Sequence, residues 1–530
     1  MKRNTFFLFL IVLLSIAIGY LFGSHQNALI RPEIDGSHPS ISKLNQLMTY
    51  LTRDYVDKIN ADSLVREVIE DIVAELDPHS VYIPAVESES LSESMQGNFE
   101  GIGVQFRMVQ DTIAVSRVME GGPSERAGLK AGDRILMADQ DTLYSKNLQS
   151  NQIVSRLKGS AATTVQLKVF RKLQDSILTF DIVRGPVPLP SVSASYLINN
   201  TTGYIKINRF SQTTYTEFQE AIKGLIDQEI KDLILDLRGN PGGYLLPAKQ
   251  IADDFLEASK PIVIVEGNNG KREQTISSGS GLFEKGSLFV LVDEDSASAS
   301  EVIAGAIQDN DRGWIMGRRT FGKGLVQQQM PLGQGDQVRL TTARYYTPTG
   351  RSIQRPYDSS SREDYYAEVQ KRYQSGEMGD PTKIPVNDSL VFKTPKGRIV
   401  YGGGGITPDI YISNEDDPQT AWSRYLIASN LIDLFVFLEL DKNFKKYDFT
   451  NAPRFFNEEL PFQEEFLEAF KTFCKDYSIP IEITSENKKS ILNSIKAVIA
   501  LQRFNENMYI RILNQTDPFI HRALEEIKSR

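Results

Sequence analysis

Three serines spaced by alanines, Ser296, Ser298 and Ser300, stand between an apolar run at residues 288–292 and the helix-forming stretch EVIAGAIQ. The run is short and branched and ends in the turn-prone Asp293-Glu294-Asp295, so it reads as a buried strand. The serines therefore occupy a strand-to-helix turn. There they face the unpaired N–H groups and positive dipole end of a helix, which favour a developing alkoxide. After a second short strand at 314–316, Lys323 is held between Gly322 and Gly324. A lysine desolvated on such a turn has a lowered pKa and can act as a base. Serine and lysine together fit the Ser–Lys form of nucleophile activation.

Two other readings compete. Serines and alanines ahead of a helix also serve as a simple N-cap. Residues 317–324, GRRTFGKG, approach a phosphate-binding loop, but Gly324 stands where the Mg²⁺-binding hydroxyl belongs and two arginines fill the loop. The histidines favour the lysine: His25, His38, His79 and His521 are the only four. A Ser-His-Asp triad cannot be assembled from the segments around the serines.

SASASE followed by TFGKGLVQ resembles the carboxyl-terminal processing (tail-specific) serine proteases, and LDPHS, GIGV, DLRGNPGG and YTPTGRSIQ strengthen the match over roughly residues 42–412. The resemblance implies a nucleophile at the middle serine, 25 residues before the lysine. Residues 298 and 323 have that spacing, which selects Ser298. It further implies that Gln327, a helical turn's distance along the chain, orients the lysine. It gives the oxyanion donors as the N–H groups of Gly242 and Ala299, with Gly242 and Gly243 not separated by spacing. LDPHS is a structural signature of the family, and His79 is assigned no chemistry.

The elements that must position these groups follow from the patterns on either side. Strands at 202–207, 233–237, 261–265, 287–292 and 314–316 alternate with helical segments, as in an α/β core with a largely parallel sheet. Residues 337–346 are expected to extend that sheet. A strand, the loop 238–243 and a helix from about residue 244 expose backbone N–H groups suited to an oxyanion. The resemblance makes this a crotonase/Clp-like protease core over 185–412. Residues 97–184 change to short strands with Gly and Pro turns and resemble a PDZ domain. There Gly101, Ile102, Gly103 and Val104 would hold a chain-terminal carboxylate, with Ile102 and Val104 lining the pocket for the last side chain. A stiff connector, 186–190, leads back into the core. Residues 41–96 read as an N-terminal helical region, 357–390 as a polar surface insertion, and 402–405 as a flexible glycine run. Residues 413–530 read as helices, a cap or dimerisation element with no chemistry. The whole is a multidomain α/β protein.

Lys2 and Arg3 precede an uncharged apolar stretch of 19 residues, 5–23. That length spans a bilayer, and the positive start leaves the rest of the chain outside the cytoplasm, in the periplasm where there are two membranes. A cleaved signal peptide over 1–24 is the alternative, followed by a polar linker to residue 40. The single cysteine, Cys474, excludes intrachain disulfides. The net charge is −9 with both signs interspersed, and no basic cluster argues for nucleic acid. No Cys/His cluster argues for a metal, and no cofactor is expected. The expected function is a membrane-tethered, extracytoplasmic serine endopeptidase acting on proteins and peptides with free C-termini, homo-oligomerisation being left open. The alternative is a catalytically inactive PDZ scaffold.

Overall fold

The computed structural model describes residues 39–109, 111–146, 148–357, 362–413, 425–447, 449 and 451–530. The apolar stretch 5–23, with its expected role as anchor or signal, lies outside them. Among the described residues no helix is long and apolar enough to cross a membrane. The chain divides into two compact units, one ending at Glu75 and one running from Leu76 to Arg530. The expected helical region 41–96 is split by this boundary. In the first unit lie the helices Pro39–Arg53 and Ala61–Ala74. Asn60 caps the second, its side chain accepting from Ser63 N–H at 3.1 Å.

The second unit is built on a six-stranded sheet, here labelled β1 (Val192–Leu197), β2 (Thr202–Ile207), β3 (Asp232–Asp236), β4 (Ser287–Val292), β5 (Trp314–Gly317) and β6 (Ile410–Tyr411). The spatial order is the chain order; β1 runs antiparallel to β2 and the rest are parallel. The continuous apolar runs of β3 and β4 suit this position, because parallel strands are covered on both faces. One face packs on α1 (Thr214–Ile226), α2 (Leu245–Asp253) and α3 (Ala299–Asp309). The other presents Tyr204, Ile234, Phe289, Leu291 and Met316, and the last two helices, α4 (Glu506–Leu513) and α5 (Pro518–Ser529), cover it. The last two helices of the C-terminal region, expected to be a cap or dimerisation element, therefore supply the second helical layer of the core. An apolar sheet face must be buried against another layer, and these helices provide it. The remaining C-terminal helices, among them Leu431–Lys442, Gln463–Asp476 and Lys488–Arg503, pack a core of their own. The expected continuous helix 490–513 breaks after Arg503, where Asn505 starts a new one by accepting from Met508 N–H at 2.9 Å.

Two strands expected in the parallel sheet lie elsewhere. Pro261–Gly267 and Asp336–Tyr346 pair antiparallel in a second sheet with Val81–Ile83, Arg272–Ile276 and Leu325–Gly333. The parallel sheet has no place for them, since β3 bonds directly to β4. A strand followed at once by a turn and another strand finds its partner in a hairpin.

Ahead of β1 in the chain stands an antiparallel six-stranded domain, from Val104–Val109 to Ser176–Val183, with Val104–Val109 at an edge. It is entered by Asn98–Gly101 and left by Gly185–Pro188. These two segments pair, so the expected stiff connector is one half of a ribbon. Asp441, on Leu431–Lys442, accepts from both Arg134 and Lys172 of this domain at 2.6 Å. The polar insertion is not merely a surface feature. Its described part buries Tyr365, Arg372 and Glu377, because its charges are spent inward on the arginine-rich loop after β5. The glycine run is also pinned, Gly403 N–H donating to Ser352 O at 2.7 Å and Gly405 N–H to Ile353 O at 2.8 Å.

Candidate active site

Three loops leave the C-terminal ends of β3, β4 and β5 and converge. The first is the turn after Asp236. Gly242 and Gly243 take φ of 99° and 144°. A Cβ on Gly243 would stand 2.1 Å from Phe210 O, and one on Gly242 2.9 Å from Ser298 Cβ, so only glycine allows this approach. Gly242 N–H donates to Asn240 Oδ1 at 2.9 Å. The N–H groups of Gly243 and of Ala299, the first residue of α3, have no acceptor among the described residues.

The second loop carries the serines, and their environments differ. Ser296 and Ser300 are fully buried. Ser296 Oγ donates to Leu237 O at 2.9 Å and Ser300 Oγ to Asn240 O at 3.0 Å, so both tie the serine loop to the glycine turn. Ser298 is partly exposed and has φ 54° and ψ −111°, a conformation a non-glycine residue adopts only when its surroundings impose it.

Glu301 imposes it. Its carboxylate is wholly buried and accepts four hydrogen bonds. Oε2 takes Ser298 N–H at 2.8 Å and Lys323 N–H at 2.9 Å; Oε1 takes Thr320 Oγ1 at 2.6 Å and Gly322 N–H at 2.8 Å. Burial still raises its pKa against those bonds. Tyr345 adds a second link, its hydroxyl lying 2.5 Å from Lys323 O and 3.0 Å from Ser298 O.

On the third loop, Lys323 Nζ donates to Gln327 Oε1 at 2.8 Å. Burial, and then the nearby positive charge of Arg339, push its pKa down to about 8. Gln327 is not on a helix but on Leu325–Gly333. There a register shift between Val326 and Gln327 accompanies the turn of its side chain to the lysine. Its other end donates from Nε2 to His79 O at 2.6 Å, which leaves Oε1 as the end facing the lysine. His79 itself is buried, with Nε2 2.9 Å from Tyr365 OH, and its pKa is pushed down to about 3 by burial and by Lys323. Its ring is neutral and occupied; its carbonyl is what reaches the site. The LDPHS turn is held by Asp77, which accepts from the His79 and Ser80 N–H groups at 2.8 and 2.9 Å.

In the inserted domain, Ile102 is buried in the domain core and Val104 partly so. Gly103, at φ 76°, sits in the turn between the ribbon and the edge strand. The roles of Glu301, Tyr345 and the His79 carbonyl were not assigned from sequence. Ser298 and Glu301 do form the S-x-x-E spacing of a capping box, a signal that was there to be read.

A family model described as peptidase family S41 matches residues 201–358, and one described as PDZ domain matches 101–182. The chain is 31% identical over 361 residues to the carboxy-terminal processing protease CtpB of Bacillus subtilis (strain 168), covering 66% of this chain and 73% of that protein. It is 30% identical over 396 residues to CtpA of the same organism, covering 72% and 84%. The chain belongs to peptidase family S41. It is a serine peptidase of the carboxy-terminal processing group with a PDZ domain, the inserted domain described above. Among solved structures, the photosystem II D1 C-terminal processing protease aligns over 72% of this S41 chain and 88% of its own, at 25% identity and a TM-score of 0.36.

Proposed function

We propose that this S41 peptidase cleaves by a Ser298–Lys323 dyad. Neutral Lys323 Nζ takes the proton from Ser298 Oγ as the oxygen attacks the scissile carbonyl carbon. The Oγ–C bond forms and the carbonyl π pair moves to oxygen. Ala299 N–H and an amide of the Gly242–Gly243 turn receive that oxyanion. Gly243 N–H is ready for it, whereas Gly242 N–H must first leave Asn240 Oδ1. Collapse breaks the C–N bond, the leaving amine takes the proton from Lys323, and water then releases the acyl group by the same steps reversed. Gln327 holds the lysine in place throughout.

The observation that carries this reading is Lys323 itself, with a pKa near 8 and a neutral acceptor, not a carboxylate, at its amine. A carboxylate there would keep it charged. The test is turnover of an unfolded protein by the wild type and by Ser298→Ala, which is expected to be inactive; full activity in Ser298→Ala would refute the assignment and would favour neither the dyad nor an inactive scaffold.

The PDZ domain is proposed to bind the free C-terminus of a substrate at residues 101–104 and to gate the site. The edge position of Val104–Val109 supports this, since an unpaired strand can add a peptide strand. Residues 2–23 support a membrane-tethered, extracytoplasmic placement.

A further inference from the structure

The last helix of the chain reaches the entrance of the catalytic loops. Arg238 is the first residue of the turn that ends in Gly242 and Gly243. Its Nε and Nη2 donate to Asp236 Oδ1 and Oδ2 at 2.9 and 2.6 Å. Its Nη1 meets Asp517 Oδ2 at 2.8 Å, and its guanidinium carbon lies 4.6 Å from the centre of the Phe519 ring. Asp517 uses its other oxygen to cap α5, Oδ1 accepting from Phe519 N–H at 2.8 Å. The Phe519 ring is buried, and a second guanidinium, Arg318, lies 5.2 Å from its centre. Arg318 in turn binds Glu294 at 2.7 Å, next to Asp293, whose carboxylate accepts from Gly239 N–H at 2.9 and 3.1 Å. One aromatic ring thus stands between the arginine that starts the glycine turn and the arginine that starts the lysine loop.

We propose that Asp517 and Phe519 are positioning residues for the reaction, setting the oxyanion turn and the lysine loop in register through Arg238 and Arg318. The proposal rests on the Ser298 reading above. Asp236 holds the guanidinium by a two-point fork, and Asp517 with the Phe519 ring fixes its remaining edge and face, so without them the Arg238–Asp236 pair can shift as a unit. Arg238 N–H also donates to Asp236 Oδ1 at 3.0 Å, so such a shift would be passed through the backbone to Gly239 and the turn behind it. Displacement of donors by a fraction of an ångström is felt in the transition state more than in substrate binding. The C-terminal helices therefore contribute to rate as well as to the fold. A chain ending before residue 517 would keep its serine and lysine and lose the register of their loops.

The experiment compares Asp517→Asn, Phe519→Ala and Phe519→Tyr in the full chain. It uses a fluorogenic peptide with an apolar free C-terminus and a peptidyl boronic acid of the same sequence, which forms a tetrahedral adduct on a serine. Rates are normalised by active-site titration. Asp517→Asn and Phe519→Ala are expected to lower kcat by about 10-fold, short of the ~10²-fold loss of a whole oxyanion donor. KM should hold, the boronate should weaken by the same factor, and Phe519→Tyr should restore both. Wild-type kcat and boronate affinity per titrated site in Asp517→Asn and Phe519→Ala would overturn the proposal, as would a loss confined to the titre. Ser298→Ala serves as the separate control. If it still forms the adduct, the nucleophile assignment fails, whatever the other variants do.

Discussion

The backbone N–H groups of Ser298 and Lys323 donate to one and the same oxygen, Glu301 Oε2, at 2.8 and 2.9 Å. The loops that carry Ser298 and Lys323, the proposed nucleophile and base, are thereby both referenced to one buried carboxylate. Glu301→Gln keeps the shape but turns one oxygen into a donor facing two donors. Each buried donor left unpaired costs about 1–3 kcal/mol. The variant is expected to melt lower and to lose most of its kcat, about 10²-fold if the loops part by about 1 Å. Wild-type kcat in a correctly folded Glu301→Gln would contradict this role.

The pH profile follows from Lys323. Its pKa in the folded protein is about 8, down from 10.5, and only the neutral amine accepts a proton. The rate kcat/KM should fall about 10-fold per pH unit below pH 8 and level off above it. Arg339 is the second cause of the depression. Arg339→Gln removes a positive neighbour, so the amine holds its proton longer and the midpoint moves to higher pH. A midpoint unchanged or moved downward in this variant would be inconsistent with Lys323 as base.

Lys323→Arg retains the charge and cannot accept a proton near neutrality. It should be as inactive as Lys323→Ala over pH 6–10. An arginine variant with measurable wild-type turnover would reduce Lys323 to a structural residue.

The flanking serines should separate stability from chemistry. Ser300→Ala removes one buried hydrogen bond to the glycine turn, at a cost of about 1–2 kcal/mol in unfolding free energy, and Ser296→Ala costs more because Asp293 N–H loses its Oγ acceptor as well. Both should still be labelled by a serine-directed phosphonate, whereas Ser298→Ala should not. Labelling of Ser298→Ala would move the nucleophile to another serine.

The PDZ prediction turns on one charge. A substrate with a free apolar C-terminus should be cleaved faster than its C-terminally amidated twin, and deletion of residues 97–184 should erase the difference. Equal rates for the two tails in the intact protein would rule out carboxylate reading by residues 101–104.

The candidate serine and lysine were legible from the chain alone because they lie in short, local patterns. The serine repeat sits between an apolar strand and a helix and the lysine between two glycines; which of the three serines is singled out, Ser298, comes from the resemblance to the carboxyl-terminal processing proteases. Local periodicity likewise marked β2 to β5 and the glycine turn. Tertiary structure alone decided where Pro261–Gly267 and Asp336–Tyr346 pair, because strand partnership depends on which neighbours are already taken and not on the strand's own residues. It alone brought the His79 carbonyl, from a turn 248 residues before Gln327, to fix that amide's orientation. It also set α4 and α5 against the bare face of the sheet. Those helices are amphipathic in sequence, but nothing local says which apolar surface, hundreds of residues earlier, they will cover.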